Sequence, residues 1–536
     1  VGPGGRSTLT EPARRAGRCP KVTATCPGCG RDLDRALLAQ ARRHAFWTRP
    51  DGSCPACAQQ ELLATLLTAG EAHFADSVQT SWPLDARAVG PLPTPLRLRA
   101  DPRFLGRGIT MAIADSGFAA HPDLVSPSNR VLAWVDATTD PVRVLRFSRD
   151  GVPEWPGSGG SADHLWHGTM TAVVAAGNGW RSDGLYRGLA AEADLVLIHL
   201  TGGDGRIADG SIERALSWLA EHGADYRVRV VSLSVAADAA PSALGSIDRW
   251  VEQLVERGIT VVAAAGNDGI RRLVPPATAP SAVTVGGLDD QGGIDAGGRS
   301  LWRGNFGDSA LGLPKPELVA PSIWVVAPIL PGTDASRQAR DLFDRRQAGD
   351  PSCLDEIRAR KFVTDHYQHA DGTSFAAPIV ASTVATMLEA NSTLTPRLVR
   401  EALLRAAWPV PGADVERQGA GAIDAGRAVA HALLERHRWH EPAPIGPLKT
   451  ARGLVFSLHD HGAASVAVHG AWDGWAAPHP FRQVESGLWT SDPLPVAAGR
   501  HAYKFLLDGQ TWIPDPANPH RRSDGRGGIN SIVQWP

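Results

Sequence analysis

Between Gly108 and about Ala430 the chain alternates two hydrophobic rhythms. Short apolar runs of strand length appear as "GITMAIADSG", "ADLVLIHL", "RVRVVSLSV", "GITVVAAAGN" and "SAVTVGG". Between them, "SIERALSWLAEHG" and "SIDRWVEQLVERG" repeat their apolar residues at helical spacing. Strand, helix, strand at this pitch predicts an α/β domain over 108–432, a parallel sheet with helices on both faces. From 453 to 536 the rhythm becomes strict alternation, as in "SVAVHG" and "HAYKFLLDG", broken by Gly, Pro and Asp turns. That predicts a small antiparallel β-sandwich. A polar, Arg-rich module spans 1–70, with a Pro-rich linker or wrapping segment at 71–107 and a second linker at 433–452.

Composition narrows the class. With 536 residues the chain is too long for one domain, and 43% hydrophobic with 21% charged residues is ordinary for globular protein. A formal charge of −2 speaks against nucleic acid or an anionic membrane as partner. The apolar runs are strand-sized, so no membrane span is expected, and the first twenty residues hold no apolar core resembling a signal peptide. Four of the six cysteines form two CxxC pairs rather than a disulfide framework, which favours a cytoplasmic setting.

In a parallel α/β sheet, functional residues gather at the carboxyl ends of the strands. Asp115 ends one apolar run, His167 in "HLWHGTMTAVVAAG" opens a helix, and Asn267 sits in a Gly-flanked turn. Ser374, in "HADGTSFAAPIVAST", opens another apolar helix, where a hydroxyl could equally be an N-cap. Singly these are turn, cap and hydrogen-bonding residues. Together they supply what acyl transfer needs. A hydroxyl requires a base, the base a carboxylate to fix its tautomer, and the developing oxyanion a donor.

The chain order Asp, His, Asn, Ser, with "ADSG", "HGTMTA", "AAAGNDG" and "DGTSFAAP" around them, resembles the subtilisin-like serine peptidases. "KPELVAPS" at 315–322 and "GAGAIDAGRAV" at 419–429 extend the likeness over about 108–430. The resemblance implies a serine endopeptidase acting on protein or peptide substrates. In it Asp115 orients His167, His167 is base and then acid, Ser374 is the nucleophile and Asn267 donates to the oxyanion. It also implies that Ser232, Leu233 and Ser234 in "VVSLSVAAD" belong to the edge that holds substrate backbone. Ala236 and Ala237 stand there in place of the family's usual glycines. A charged, helical-looking stretch, "DASRQARDLFDRRQAGDPSCLDEIRARKF", lengthens the approach to Ser374 and reads as a lid, an exosite or a surface excursion. Members of the family often bind structural Ca²⁺, but no ligands are assigned here.

"CPGCG" at 26–30 and "CPAC" at 54–57 are two knuckle-like turns a helix-length apart. Cys26, Cys29, Cys54 and Cys57 could give four thiolates to a structural Zn²⁺, the alternatives being a dithiol redox pair or chance. The module resembles zinc-ribbon or treble-clef units. The C-terminal pattern, from "VAVHGAWDGW" to "GGINSIV", resembles the glycogen-binding modules of AMP-activated kinase β subunits and branching enzymes. That likeness implies that Trp475 and Trp512 stack on glucose rings while Lys504 and Asn530 bond its hydroxyls. Trp472 and Trp489 are expected in the sandwich core. The ligand would be an α-glucan, with protein docking as the other use. A catalytically silent scaffold of the same fold is the rival reading for the whole chain.

Overall fold

The computed structural model describes residues 92–435 and 447–535, apart from 152, 160–164, 183, 239–243, 294–297, 451–452, 461–462, 486–487, 517, 519 and 527. Before them it describes only a short antiparallel ladder of Ala24–Thr25 with Asp32–Leu33. That ladder brackets the first CxxC pair. The four cysteines themselves lie outside the described residues.

The predicted α/β core is present. Its strands are β1 (Thr110–Asp115), β2 (Val131–Asp136), β3 (Arg143–Arg146), β4 (Asp194–His199), β5 (Val228–Leu233), β6 (Thr260–Ala264), β7 (Val283–Asp289), β8 (Ser300–Leu301) and β9 (Leu318–Pro321). They run in the order β8-β7-β6-β5-β1-β4-β2-β3, with β9 added on β7. The inner pairings are parallel, while β3 and β8 close the edges antiparallel. All six residues of β1 are buried, because helices cover both faces of this central strand. Helices α1 (Trp166–Ala176), α2 (Asp209–His222) and α3 (Ser246–Glu256) follow the pattern read from sequence.

Between β9 and the Ser374 helix the chain forms a hairpin, β10 (Val325–Pro328) with β11 (Tyr367–Ala370). The charged excursion rises from this hairpin as two helices, α4 (Asp334–Gln347) and α5 (Cys353–Ala359). It carries a small core of its own, with Leu342, Cys353 and Ile357. The loop that leads into it runs beside the Asp115 and His167 motifs, since Leu330 packs on Ala119 and Leu165.

Helix α6 (Thr373–Ala390) crosses the middle of the domain, and α7 (Pro396–Ala406) and α8 (Ala425–Glu435) finish it. All residues of α6 are buried except Ser374 and Glu389. Length and composition would let it cross a membrane, contrary to the expectation that no segment could, but its burial identifies it as a core helix. Glu389 is accounted for, as its carboxylate accepts the N–H groups of Leu105, Gly106 and Arg107. Ser374 has no such structural employment.

The C-terminal strands are β12 (Ser457–His459), β13 (Val466–Gly470), β14 (His479–Glu485), β15 (Leu488–Ser491), β16 (Gly499–Leu507), β17 (Thr511–Ile513), β18 (Arg521–Ser523) and β19 (Ile529–Trp535). They pair antiparallel in the order β12-β15-β14-β13-β16-β19-β18, with β17 on β16. Alternate residues such as Val468, Tyr503, Phe505 and Val533 enter one apolar cluster with Leu458 and Trp489. Trp489 is buried there as expected, and Trp472 lies half-buried against it.

Candidate active site

Asp115 is the last residue of β1, at the carboxyl edge where the neighbouring strands also end. Its Oδ1 accepts hydrogen bonds from His167 Nδ1 at 2.7 Å and from the Ser116 N–H at 2.6 Å. The Thr171 hydroxyl donates to Oδ2 at 2.9 Å. With Nδ1–H spent on Asp115, the neutral imidazole keeps its lone pair on Nε2. Burial lowers the proton affinity of His167, but the charge and hydrogen bond of Asp115 outweigh it, and its pKa stands above the ordinary 6.5.

The helix can bring His167 this close because Gly168 has no side chain. A Cβ at Gly168 would lie 2.3 Å from the Gly117 carbonyl and 3.1 Å from the Asp115 Cβ. The small residues of "HGTMTA" thus set the spacing between strand and helix.

Ser374 is the second residue of α6, behind Gly372, whose φ of +143° is costly for a residue with a side chain. The neighbouring Phe375 ring lies 5.8 Å from the His167 ring, which brings the start of α6 beside the Asp115–His167 pair. Among the described residues the Ser374 hydroxyl makes no hydrogen bond to His167. Such contacts are often long in a free site and tighten when substrate binds.

Asn267 follows β6 and is clamped by the residue before Ser374. Its Oδ1 accepts the Thr373 N–H at 2.8 Å and lies 2.9 Å from Thr373 Oγ1. The amide is therefore turned so that Nδ2 faces away from Thr373 and stays free to donate. The loop is braced from outside by Asn305. Its Oδ1 accepts the Asp268 N–H at 2.8 Å, and its own N–H bonds the Gly266 carbonyl at 3.0 Å. Thr171, Thr373 and Asn305 were not singled out from sequence. Two lie inside motifs already recognised, while Asn305 is joined to its loop only by folding.

The substrate-edge expectation needs correction. Ser232 and Leu233 are 1% and 0% exposed, paired within the sheet between β1 and β6, and cannot reach a bound chain. Ser234 is half-buried at the strand end, and its hydroxyl donates to the Ser374 carbonyl at 2.8 Å. That oxygen would ordinarily accept the N–H of residue 378, but Pro378 has none. Ser234 satisfies a carbonyl that the helix leaves open. The exposed positions of the segment are Ala236 and Asp238, and the buried Ala237 between them is tied by its N–H to the Pro275 carbonyl at 2.8 Å.

In the C-terminal module, Trp512 on β17 is 49% exposed and registers with Leu506. By alternation this places it on the same sheet face as Lys504, opposite the buried Tyr503 and Phe505. Asn530 precedes Ser531, the register partner of Tyr503, and so lies on this face beside Lys504. Lys504 Nζ bonds Asp524 at 2.8 Å. Trp475 occupies the turn after β13, half-buried, with its N–H on the Gly470 carbonyl. His469 registers with Lys504 and packs its ring 4.9 Å from Trp512, and both its ring nitrogens are buried without a partner among the described residues. The sequence reading had not included it. Among the described residues no cluster of three or more His, Cys, Asp or Glu could hold a metal ion.

A family model described as the subtilase family matches residues 106–427, and one described as the glycogen recognition site of AMP-activated protein kinase matches 455–535. The serine protease AprX of Bacillus subtilis (strain 168) is 28% identical over 335 residues, 60% of this chain and 66% of that protein. The match therefore spans just under two thirds of that relative. Subtilisin BL of Lederbergia lenta is 29% identical over 245 residues, 46% of this chain and 75% of its own. Among solved structures, fervidolysin from Fervidobacterium pennivorans aligns at a TM-score of 0.45 with 19% identity, covering 79% of this chain and 55% of that one.

Proposed function

The chain belongs to the subtilase family of peptidases, and on that footing we propose that it is a serine endopeptidase whose nucleophile is Ser374. The Ser374 hydroxyl attacks the scissile carbonyl while His167 Nε2 takes its proton. Asp115 holds the imidazole in the required tautomer and stabilises the imidazolium that forms. The oxyanion is met by Asn267 Nδ2 and by the Ser374 N–H, an open donor in the first turn of α6. His167 then protonates the leaving amine, and water reverses the sequence on the acyl-enzyme.

The observation that carries this reading is the pair of clamps on either side of Ser374. Asp115 fixes His167 on one side, and Thr373 fixes the Asn267 amide on the other. The test is intact mass after treatment with a fluorophosphonate. One adduct on the native chain and none on Ser374→Ala supports the peptidase. A folded native chain that takes no adduct would favour the silent scaffold.

For the C-terminal module we propose an α-glucan ligand on the face that carries Trp512, Lys504, Asn530 and His469, with Trp475 at its margin. A flat exposed indole beside a few polar groups suits the C–H faces and hydroxyls of glucose. Glycogen retardation of the native chain in a gel, lost in Trp512→Ala, is the expected result. Retardation unchanged in that variant would point to another surface. We also propose a structural Zn²⁺ on Cys26, Cys29, Cys54 and Cys57. The spacing of the two CxxC pairs and the ladder around the first support it. One zinc per chain by mass spectrometry, lost in Cys26→Ser, is the check.

A further inference from the structure

Between the peptidase domain and the C-terminal module lies a cavity of about 300 Å³, within the range of small-ligand sites. It belongs neither to the Ser374 cleft nor to the Trp512 face. One wall is the first turns of α7, with Arg397 and Arg400. The C-terminal module contributes His520 and Ile532 to the lining, and Lys449 of the intervening segment, itself exposed, also lines it.

The charge of this wall is one-sided. Three lining residues, Arg397, Arg400 and Lys449, are cations, and none is a carboxylate. The carboxylates behind the wall are already engaged. Glu317 is shared by Lys315 and Arg400, Glu401 by Arg397 and Arg405, and Glu252 is held by Ser281. Hydrogen bonds from Ser281 leave the charge of Glu252 in place near Lys315, so it is the lining itself, three cations with no carboxylate among them, that is one-sided.

Two polar groups are also left open. Arg400 Nε is buried without an acceptor among the described residues. His520 lines the cavity at 8% exposure and spends Nδ1 on the Pro314 carbonyl at 3.2 Å, which leaves Nε2 unpartnered among the described residues. The positive surroundings act on their neighbours. Burial, then Arg400 and Lys315, hold the His520 pKa well below ordinary, and burial brings Lys315 down to about 8 against the attraction of Glu317. The rest of the lining is apolar, including Val255, Leu313 and Ile532.

We propose that this cavity binds a small organic anion, a carboxylate or phosphate head group carried on an apolar body. The head group would sit against Arg397, Arg400 and Lys449, and the body against the apolar wall. Because the lining comes from both domains, occupancy would clamp the module onto the peptidase domain and raise the melting temperature of both.

The test uses the full chain with Ser374→Ala, to prevent self-digestion, and four probes: phenyl phosphate, benzoate, inorganic phosphate and neutral benzyl alcohol. Sodium chloride at matched ionic strength is the baseline. Phenyl phosphate or benzoate should bind calorimetrically and raise the melting temperature above that baseline. Whichever binds more tightly identifies the head group. Neutralising Arg397 and Lys449 together, as Arg397→Gln with Lys449→Gln, should weaken binding about tenfold or more. An unchanged ligand-free melting temperature would show that this variant folds. Binding by neither aromatic anion, equal binding of benzyl alcohol, or binding unaffected by the double substitution would each overturn the proposal.

Discussion

Arg522 of the C-terminal module donates to Asp308 of the peptidase domain at 3.1 Å. Asp308 also receives Arg500 of the module at 3.2 Å and Arg271 of its own domain at 2.9 Å. Arg522 reaches a second carboxylate, Glu416, at 2.8 Å. One carboxylate thus gathers three guanidinium groups at the seam, and one of them, Arg271, stands four residues along the chain from Asn267. The module is fastened beside the loop that carries the proposed oxyanion donor.

Asp308→Asn should loosen that seam. Asp308 and Arg522 are about a quarter exposed, Arg500 about a third and Arg271 about half, so solvent screens them, and the joint loss is expected at about 1 kcal/mol. Calorimetry of the Ser374→Ala chain should show the module melting earlier and separately in the variant. High salt should reproduce part of the effect on the native chain. A single unshifted transition in the variant would mean that apolar contacts, not this carboxylate, join the domains.

Asn267→Ala should lower kcat with little change in KM, because the amide acts on a charge that exists only in the transition state. Loss of one such donor costs about 10²–10³ in kcat, a magnitude measured on subtilisin itself. Thr373→Val should produce a smaller loss in kcat of the same kind. It removes the hydroxyl contact to Asn267 and retains the backbone one. Equal rises in KM for both variants would assign them to substrate binding instead.

Activity and stability should respond to pH in opposite directions at His167. Catalysis needs the neutral imidazole. Since the pKa is raised above 6.5, kcat/KM should fall as pH drops through a value above 6.5. The protonated His167 beside Asp115 contributes stability that is fully present below the unfolded value and is lost as pH rises through the raised folded one. Asp115→Asn removes both causes of the elevation, so the acid limb should move below 6.5 and kcat should fall by about 10⁴. An acid limb that stays in place in Asp115→Asn would show that another group titrates there.

The strands and helices that carry the site were legible because each is an apolar run with its functional residue at the end. Asp115, His167, Asn267 and Ser374 come together because parallel strands and their helices share one edge. Ser232 and Leu233 were misplaced for a physical reason. A strand covered on both faces does not alternate, so nothing in "VVSLSV" marks where it leaves the core. The roles of Asn305 and Thr373 depend on partners 37 and 106 residues away, and local pattern does not carry such pairings. The seam at Asp308 joins positions 214 residues apart, across what the composition presents as a linker.

Ser234 offers a sharper test of the corrected edge. If its hydroxyl serves the carbonyl that Pro378 leaves open, Ser234→Ala should cost about 1–3 kcal/mol of stability. Ser234→Thr, which keeps the hydroxyl, should recover most of it. A peptide-binding role alone would instead raise KM and leave thermal unfolding unchanged, so the two readings separate in one pair of measurements.

Gly168→Ala probes the spacing on which the whole site depends. The added methyl would meet the Gly117 carbonyl at 2.3 Å, a distance no packed atom tolerates, so α1 must retreat from β1. Overpacking of this kind costs about 1–3 kcal/mol. The chemical penalty should be larger than the structural one, because His167 is the adjacent residue and moves with the helix. A displacement of about 1 Å costs on the order of 10² in rate when it spoils alignment. The variant is therefore expected to remain folded at moderate temperature while kcat/KM and fluorophosphonate labelling rate fall together. Native labelling in a folded Gly168→Ala chain would mean that the 2.7 Å contact between Asp115 and His167 survives the shift, and that the helix is not what holds it.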